Sequence, residues 1–499
     1  MLIAAGIIIF AIAVVSGVFL LGNSLYYASL IALYARNHGL DSVPLCRFEE
    51  AKLPRVTVQL PIRNEGPVAE RVIHHAAALD YPSDRLEIQV LDDSDDETSS
   101  IIQREVDRLQ RQQSGLDISV IRRTTREGFK AGALKNGLSM AKGELFAIFD
   151  ADFLIPRDFL QRTVHFFTDS RVGIVQARWA HLNRAVSWFT EAQATKLDAH
   201  QMFEQTARAR AHRWVFFHGT AGIIRKSALE DSGGWNCISE AEDVELSIRA
   251  NIKKWEFVYL DQFKVPSELP ETISGFLVQQ MRWKRGWIRL LRYYSSDIWN
   301  SDFPFSVRLD FMVRLLSSFG PALSMPFTLG VLPAFIIADR YGLWWWVFLE
   351  YCLLLVCTVC IRLAEHHYVS GNVDSGTSAR KPLLHSFIPV GYLLNLGMMW
   401  AQAQSTIEGF GHAQRWEVTP KSGRQLAKNA ALLPNYIIGT GFMCVCAVGL
   451  LVASFLAGHA VAALFYILTI VGSGWVTMRF MVERLSSKPS FSVSSLEMK

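Results

Sequence analysis

Pairs of aspartate residues follow two short apolar runs in the N-terminal half of this chain. Asp92 and Asp93 come directly after one run, and Asp150 and Asp152 follow the other with a single residue between them. Carboxylates this close together repel one another unless a cation or a polar ligand lies between them. We therefore expect Asp92 or Asp93 to contact a ligand. We expect Asp150 and Asp152 to hold one hard cation, Mg²⁺ or Mn²⁺, together with water and phosphate oxygens.

Asp95 and Asp96 have a simpler explanation. The pattern of residues 99–113 predicts an amphipathic helix, and Asp96 or Thr98 would cap its first turn. We therefore interpret Asp95 and Asp96 as an acidic turn at the start of that helix.

Lys130 lies between the two aspartate pairs, in a segment rich in glycine and alanine. Small residues allow a nucleotide to approach the backbone closely, and the ammonium group would offset its negative charge. A lysine exposed to solvent at the start of a helix explains the same residue equally well. The residues alone leave both interpretations open.

A third acidic cluster, residues 239–245, precedes another amphipathic stretch. Asp243 is the candidate general base that would take a proton from a sugar hydroxyl group. Part of the cluster is also expected to stabilise the N-terminus of the following helix.

Residues 278–287 combine arginine, whose planar guanidinium group can donate two hydrogen bonds to a phosphate, with tryptophan, whose indole ring can stack on a sugar. Gln279, Arg282 and Trp283 are the candidates here. A helix at the membrane interface would use the same aromatic and basic residues, and both descriptions can hold together.

The elements that must position these residues alternate between two kinds of pattern. Short apolar runs at residues 56–60, 86–91, 118–121 and 145–149 predict strands, and amphipathic stretches predict the helices between them. This alternation indicates an α/β domain with a mainly parallel sheet. Ligand groups belong after such strands, because the binding crevice lies outside their carboxyl ends.

Long apolar runs flank this domain in a chain of 499 residues that is 50% hydrophobic and 19% charged. Residues 2–35 carry no charge and predict an uncleaved membrane anchor, which we prefer to a signal peptide. Four more runs predict further spans, at residues 315–338, 341–361, 434–458 and 461–478. Residues 385–407 are more polar, so we expect a helix in the membrane interface there.

Basic residues cluster in the connections that the positive-inside rule assigns to the cytosol. We expect an outside N-terminus and the following segments: an anchor at 1–35, a cytosolic catalytic domain at 36–304, two membrane helices at 305–365, an interfacial helix and loop at 366–430, two membrane helices at 431–482 and a cytosolic tail at 483–499. A bacterial inner membrane is preferred to a Golgi membrane. The net charge of +4 argues against a nucleic-acid partner.

The motifs, in this order, resemble the processive inverting family 2 glycosyltransferases, the group of cellulose, chitin and hyaluronan synthases. That group is described by Asp, Asp-x-Asp, (Glu/Thr)-Glu-Asp and Gln-x-x-Arg-Trp, and here only the third is altered, with Ala241 before Glu242 and Asp243. The segments QLP (59–61), FKAGAL (129–134), QARW (176–179) and GTAG (219–222) resemble in particular the plant cellulose-synthase-like mannan synthases and their bacterial relatives. Four spaced motifs together are highly specific.

The resemblance implies a GT-A (Rossmann-like) glycosyltransferase domain with an α-helical transmembrane region. It implies transfer of hexose from a nucleotide-sugar, UDP-glucose or GDP-mannose, to a growing β-glycan that the protein also translocates. A non-processive glycolipid synthase, acting on a diacylglycerol or polyprenyl acceptor, shares most motifs and is the alternative. A transporter or scaffold with an inert domain would not need three carboxylate clusters.

The resemblance also implies roles for individual residues. Asp150 and Asp152 would hold the metal, and Asp243 would be the base. The donor would contact Asp92, Asp93, Lys130, Gln279, Arg282, Thr419 and Lys421. The acceptor would contact Trp283, His218, Gly219 and Glu242. Thr419 and Lys421 belong to residues 416–421, which resemble the gating loop of cellulose synthases, with Trp416 in place of the usual phenylalanine. Partner subunits are left open.

Overall fold

A sheet of seven strands forms the centre of the catalytic region in the computed structural model, which describes residues 2–37, 42–371, 390–411 and 433–486. The strand order is β3-β2-β1-β4-β6-β5-β7. The strands are β1 (Val56–Ile62), β2 (Leu86–Asp92), β3 (Asp117–Arg122), β4 (Leu145–Ile148), β5 (Val172–His181), β6 (Gly222–Arg225) and β7 (Glu256–Ser267).

The sheet is mainly parallel, as the sequence predicts. β1 pairs in parallel with β2 and β4, β2 with β3, and β5 with β7, whereas β6 runs antiparallel to both its neighbours. β1, β2 and β4 are buried along almost their whole length because helices cover both faces of the sheet. The four strands that the apolar runs predict are confirmed as β1 to β4.

Nine helices of the described residues precede residue 273. They are α1 (Leu2–Asn37), α2 (Gly66–Ala77), α3 (Thr98–Gln112), α4 (Phe129–Met140), α5 (Phe159–Thr163), α6 (Trp188–Ala199), α7 (Ala207–Arg210), α8 (Lys226–Asp231) and α9 (Glu242–Ile252). A π-helix, His200–Thr206, joins α6 to α7. The N-cap residue of α3 is Glu97, whose side chain makes no capping hydrogen bond, so neither Asp96 nor Thr98 is the N-cap that the sequence predicts. Asp96 instead accepts a hydrogen bond from the Thr98 backbone N–H at 2.9 Å in the turn before the helix.

The C-terminal helices are long and apolar. They are α10 (Ile273–Trp299), α11 (Phe305–Leu316), α12 (Gly320–Arg340), α13 (Trp344–Gly371), α14 (Val390–Gly397), α15 (Met399–Gly409), α16 (Leu433–Leu456) and α17 (Ala460–Ser486). Short 3₁₀ turns lie at Glu50–Lys52, Ser83–Arg85, Val164–Thr168, Arg184–Val186 and Ser317–Phe319.

Five helical segments of the described residues are long and apolar enough to cross a membrane, so the chain is a membrane protein. They are Gly6–Asn37, Phe305–Arg340, Trp344–Val369, Ile437–Leu456 and Ala462–Glu483, and each overlaps one of the predicted runs. Residues 390–407 instead form α14 and most of α15, which are interrupted at Met398. Residues 385–389 lie outside the described residues, and the division of the chain into segments stays a prediction.

Helix α10 belongs to both halves of the molecule. Its first turns pack Phe276 and Met281 against Met398 and against Val476 of α17. Its second half packs Leu290 against Ile248 of α9 in another buried cluster. The helix that carries Gln279, Arg282 and Trp283 is therefore fixed to the catalytic region and to the membrane helices at once.

Candidate active site

One cavity of about 730 Å³ begins at the sheet and continues between the membrane helices. Pro61 lines it near the end of β1, and Asp93 and Asp150 line it just after β2 and β4. Asn23 of α1 and Thr328 of α12 line the same cavity further along. The crevice expected at the carboxyl ends of the strands thus opens into the space between the helices.

Of the two aspartates at the end of β2, only Asp93 lines the cavity. Asp92 is 3% exposed, and its carboxylate accepts hydrogen bonds from Ser99 Oγ at 2.7 Å and Arg122 Nε at 2.8 Å. Burial opposes ionisation, but these hydrogen bonds outweigh it and lower the pKa of Asp92. Asp93 lines the cavity and pairs with Arg123, whose Nε donates at 2.7 Å. The geometry therefore favours Asp93 for a ligand contact and gives Asp92 a structural role.

Asp150 and Asp152 both line the cavity, and an ammonium group lies beside Asp150. Lys130 Nζ is 2.5 Å from Asp150 Oδ1, 3.8 Å from Glu242 Oε1 and 3.0 Å from the Gly219 carbonyl oxygen. Burial works against the charged lysine, but the two carboxylates outweigh it and raise the pKa of Lys130. Lys130 is thus a buried part of the site and not a solvated lysine at a helix start.

The third acidic cluster brings Glu242 and Asp243 to the first turn of α9, and both line the cavity. Burial raises the pKa of both carboxyl groups, and the nearby ammonium of Lys130 only partly offsets it. A carboxylate with a raised pKa is a stronger base than an ordinary aspartate. Asp243 can therefore accept a proton from a hydroxyl group in the cavity.

Gln176 holds the backbone before β6. This glutamine belongs to the QARW motif, but the family resemblance assigns it no role. Gln176 Oε1 accepts the His218 backbone N–H at 2.9 Å, and its Nε2 donates to the Thr220 carbonyl at 3.1 Å. His218 lines the cavity, and burial lowers its pKa to about 3, so the imidazole is neutral. Gly219 has a φ of +78°, and a Cβ there would lie 3.0 Å from Asp243 Oδ2.

Helix α10 presents Gln279, Arg282 and Trp283 to the cavity. Positions three and four residues apart share one face of a helix, so a single element supplies all three. Arg285 is buried next to them and pairs with Glu240 at 3.2 Å and with Glu408 at 3.4 Å. This arginine fixes α10 against the loop before Asp243 and against α15.

Thr419 and Lys421 lie outside the described residues.

Sequence reasoning also missed residues that do line the cavity. Arg63 follows β1 and Arg126 follows β3, so both could have been found by the rule that ligand groups follow strands. Lys196 and Arg314 belong to helices that only the tertiary structure brings to the cavity.

The residues present fit a divalent cation bound together with a phosphorylated ligand. Asp150 and Asp152 offer hard oxygen ligands at the cavity wall, and Asp150 already pairs with one cation, the Lys130 ammonium. Among the described residues no group of three or more His, Cys, Asp or Glu side chains is placed to hold a metal by itself. A cation here would complete its shell with phosphate oxygens and water, which is the usual behaviour of Mg²⁺.

Comparisons with known proteins agree with this geometry. Residues 54–286 match the family model described as glycosyltransferase like family 2. Glucomannan 4-beta-mannosyltransferase 9 of Arabidopsis thaliana is 34% identical over 399 residues, which cover 77% of this chain and 71% of that protein. Glucomannan 4-beta-mannosyltransferase 7 of the same plant is 40% identical over 257 residues, 50% of this chain and about half (46%) of that protein.

A solved structure has the same fold. The mannosyltransferase PcManGT from Pyrobaculum calidifontis, in complex with GDP-Man and Mn²⁺, superposes with a TM-score of 0.52 at 22% identity. The match covers 70% of this chain and 98% of that one. The predicted α/β GT-A fold is confirmed.

Proposed function

The chain belongs to glycosyltransferase family 2, and we propose that it transfers mannose from GDP-mannose to a growing β-glycan that leaves between its membrane helices. By that membership it is a hexosyltransferase. The donor, the linkage and translocation are the proposed parts.

The observation that carries this proposal is the continuity of the cavity. Its wall includes the candidate base Asp243 at one end and polar side chains of the membrane helices at the other. These polar residues are Asn23, Ser24, Tyr27, Ser324, Thr358 and Thr469. A chain of sugars needs hydrogen-bond partners when it leaves water, whereas the acyl chains of a lipid do not. The wall therefore favours a saccharide product over a glycolipid.

Mannose is proposed as the sugar because the relatives named above are mannosyltransferases. UDP-glucose is the competing donor, since one hydroxyl orientation separates glucose from mannose and no motif encodes it.

The proposed reaction needs one base. Asp243 removes the proton from the acceptor hydroxyl, and that oxygen attacks the anomeric carbon of the donor sugar. The bond from this carbon to the diphosphate oxygen breaks at the opposite face, so an α-linked donor gives a β-linked product. Trp283 supplies an indole face on which the acceptor sugar can stack, and Gln279 and Arg282 contact the diphosphate.

Asp150 and Asp152 would hold a divalent cation, Mg²⁺ or Mn²⁺. When bound, the cation offsets the negative charge of the departing diphosphate. Lys130 and Arg126 add positive charge from the protein itself around the same part of the cavity.

We place the catalytic domain in the cytosol. Arg36 lies in the last turn of α1, and Arg362 and Arg479 lie in the C-terminal halves of α13 and α17, towards the ends that this topology puts on the cytosolic side. The bacterial inner membrane stays a prediction, since the relatives named above are plant proteins.

The test is turnover by the full chain in lipid nanodiscs with Mg²⁺ or Mn²⁺ and, separately, GDP-mannose, UDP-glucose or UDP-N-acetylglucosamine. We expect GDP-mannose to give nucleotide release and long polymer. Asp243→Asn should lower the rate by about 10²–10⁴-fold, the usual contribution of a general base. Asp84→Asn, whose side chain is 78% exposed, is the matched control and should keep the rate.

Two outcomes would contradict the proposal. Turnover of UDP-glucose in place of GDP-mannose would correct the donor. Turnover only after a diacylglycerol or polyprenyl acceptor is added, with one or two sugars transferred, would replace the polymerase by the glycolipid synthase.

A further inference from the structure

A second set of charged side chains lines the cavity away from Lys130 and Asp150. It consists of Arg63 after β1, Asp93 after β2 and Arg126 after β3, and together we call these three residues the rim cluster. The strand order β3-β2-β1-β4 puts the end of β3 three strands away from the end of β4, which precedes Asp150. Neighbouring strands lie about 4.8 Å apart, so these two strand ends are about 14 Å apart. The rim cluster therefore faces a different part of a bound ligand than Asp150 does.

Two members of the rim cluster are fixed by contacts within the protein. Arg63 donates to the Asp93 carbonyl oxygen at 2.9 Å and to Asp95 Oδ2 at 3.0 Å. Arg123 Nε donates to Asp93 Oδ1 at 2.7 Å. A carboxylate has about four acceptor positions, so Asp93 keeps acceptor capacity for a ligand while its own position is fixed.

The guanidinium group of Arg126 is not used in this way. Its Nε is buried and has no hydrogen-bond partner among the described residues. The guanidinium carbon lies 5.8 Å from the centroid of the Phe129 ring, which supports the side chain from one side. Burial lowers the pKa of Arg126, and the neighbouring positive charge of Arg63 lowers it further. A guanidinium group carries several N–H donors in one plane, so Arg126 offers donors to a ligand at the cavity wall.

The rim cluster combines donors with an acceptor. Arg126 supplies N–H groups, and Asp93, whose charge acts on Arg126, supplies carboxylate oxygens at the same wall. A diphosphate offers acceptors only, and the negative charge of Asp93 would repel it. A nucleobase presents donors and acceptors along its edge, so it can satisfy both residues. Because the proposed reaction puts the diphosphate beside Asp150 and its cation, the base is the part of the donor that reaches the rim cluster.

The two candidate donor bases differ in what they offer to an arginine. Guanine carries the acceptors O6 and N7 side by side, and a guanidinium group can contact both with parallel hydrogen bonds. Uracil carries the acceptor O4 next to a C–H group, so the second hydrogen bond is lost. Guanine also has N–H groups that a carboxylate accepts. The chemistry of Arg126 and Asp93 therefore favours guanine over uracil.

We propose that Arg126 is a specificity-determining residue for the donor base and donates two hydrogen bonds, to O6 and N7 of guanine. The role rests on the proposed function, because it requires a donor linked to GDP. Asp93 accepts a hydrogen bond from an N–H group of the same base. The charge of Arg126 still adds to the positive surroundings of the donor, while its N–H groups distinguish one base from another.

Nucleotide binding to the full chain in nanodiscs with Mg²⁺ tests this role by titration with GDP, UDP and 7-deaza-GDP, in which a C–H group replaces N7. We expect the wild type to bind 7-deaza-GDP about tenfold more weakly than GDP, because losing one hydrogen bond to a charged group costs about that factor. UDP should also bind more weakly than GDP. This comparison tests the contact to N7 without any substitution.

Arg126→Met removes the donors and keeps an unbranched side chain. It should weaken GDP binding about tenfold or more and bring the affinities for GDP and 7-deaza-GDP close together. A structural role, or a contact with the diphosphate, would weaken both nucleotides equally and keep their ratio. Arg111→Met is the matched control, since Arg111 is exposed on α3 and does not line the cavity. It should keep the wild-type affinities and their ratio.

Equal affinities of the wild type for GDP and 7-deaza-GDP, or a ratio that survives Arg126→Met, would overturn the role of Arg126. In that case a preference for GDP over UDP would leave the donor of the proposed function in place. A wild type that binds UDP more tightly than GDP would show instead that the donor assignment itself is wrong. Failure of the proposed function and failure of this role are therefore distinct results.

Discussion

Glu242 and Asp243 are adjacent carboxyl groups at one end of the cavity, where Glu242 is buried and Asp243 is half-buried. Burial raises the pKa of both, and the negative charge of Asp243 raises the pKa of Glu242 further. Because the interaction between two charges is reciprocal, an ionised Glu242 also opposes ionisation of Asp243. The base must be ionised to accept a proton. Activity should therefore decline as the pH falls through the raised pKa, at a higher pH than an ordinary aspartate would give.

Glu242→Gln should move this acidic limb of kcat/KM to lower pH. The substitution removes a neighbouring negative charge, so the Asp243 carboxyl loses its proton more easily. The measurement is kcat/KM for the donor across the acidic range, which reports the free enzyme. Glu49→Gln, with a side chain that is 72% exposed on the surface, is the control and should leave the limb in place. A limb that does not move in Glu242→Gln would contradict the pairing of these two groups.

At the scale of elements, the loop before β6 controls the position of the base. Gln176 of β5 fixes this loop through the backbone of His218 and Thr220. Gly219 has a positive φ in it, and its carbonyl oxygen accepts a hydrogen bond from Lys130. One loop thus aligns the histidine, the lysine and Asp243.

Gly219→Ala should impair both folding and catalysis. A left-handed alanine costs about 1–2 kcal/mol of stability. The new Cβ would also lie 3.0 Å from Asp243 Oδ2, so the base must shift. We expect turnover to fall by about tenfold or more, since small displacements of reacting groups have effects up to about 10²-fold. Donor turnover and thermal unfolding are the measurements.

Gly234→Ala separates these two effects. Gly234 has a φ of +69°, and a Cβ there would meet nothing within 4 Å. This variant should lose comparable stability and keep its turnover. Equal losses of turnover in the two variants would show that backbone strain alone, and not the contact with Asp243, is responsible.

At the scale of the whole molecule, a buried ionic cluster joins the first membrane helix to the catalytic region. Asp310 of α11 pairs with Arg208 at 2.6 Å and with Arg213 at 2.6 Å. The Tyr26 hydroxyl of α1 contacts both Arg208 and Asp310. Arg208 is fully buried, so its charge depends on these partners.

Asp310→Asn should destabilise the protein by about 3–5 kcal/mol, because it leaves buried arginine charge without its carboxylate. The temperature of half-inactivation in nanodiscs is the measurement. Asp302→Asn is the control, since that carboxylate is 95% exposed and pairs with Lys254 at 2.8 Å at the surface. Surface pairs contribute about 0–1 kcal/mol, so this variant should unfold like the wild type. Equal midpoints for the two variants would contradict the role of the cluster.

Local pattern predicted much of the fold but not all of it. β1, β2 and β4 are short and almost wholly buried, and β3 is a short strand with Ile118 and Ile121 buried, so the apolar runs of all four are visible in the sequence. β5 and β7 are longer and less uniformly buried, and their pairing contains register shifts, so they lack a simple pattern. The five apolar runs are visible because crossing a membrane requires about 20 apolar residues whatever the neighbours are.

The motifs of the sequence by themselves determined the family, the strands that carry the carboxylates and the apolar helices, because each depends on residues close together in the chain. The tertiary structure decided which polar groups share one cavity. It separated Asp93 from Asp92, because Asp92 ends β2 with its carboxylate bonded to Ser99 and Arg122, whereas Asp93 follows the strand and lines the cavity. It brought Lys130 to Asp150 and Gly219, and Lys196 to α13 and α14. Such contacts join distant parts of the chain, and only packing of the whole molecule creates them.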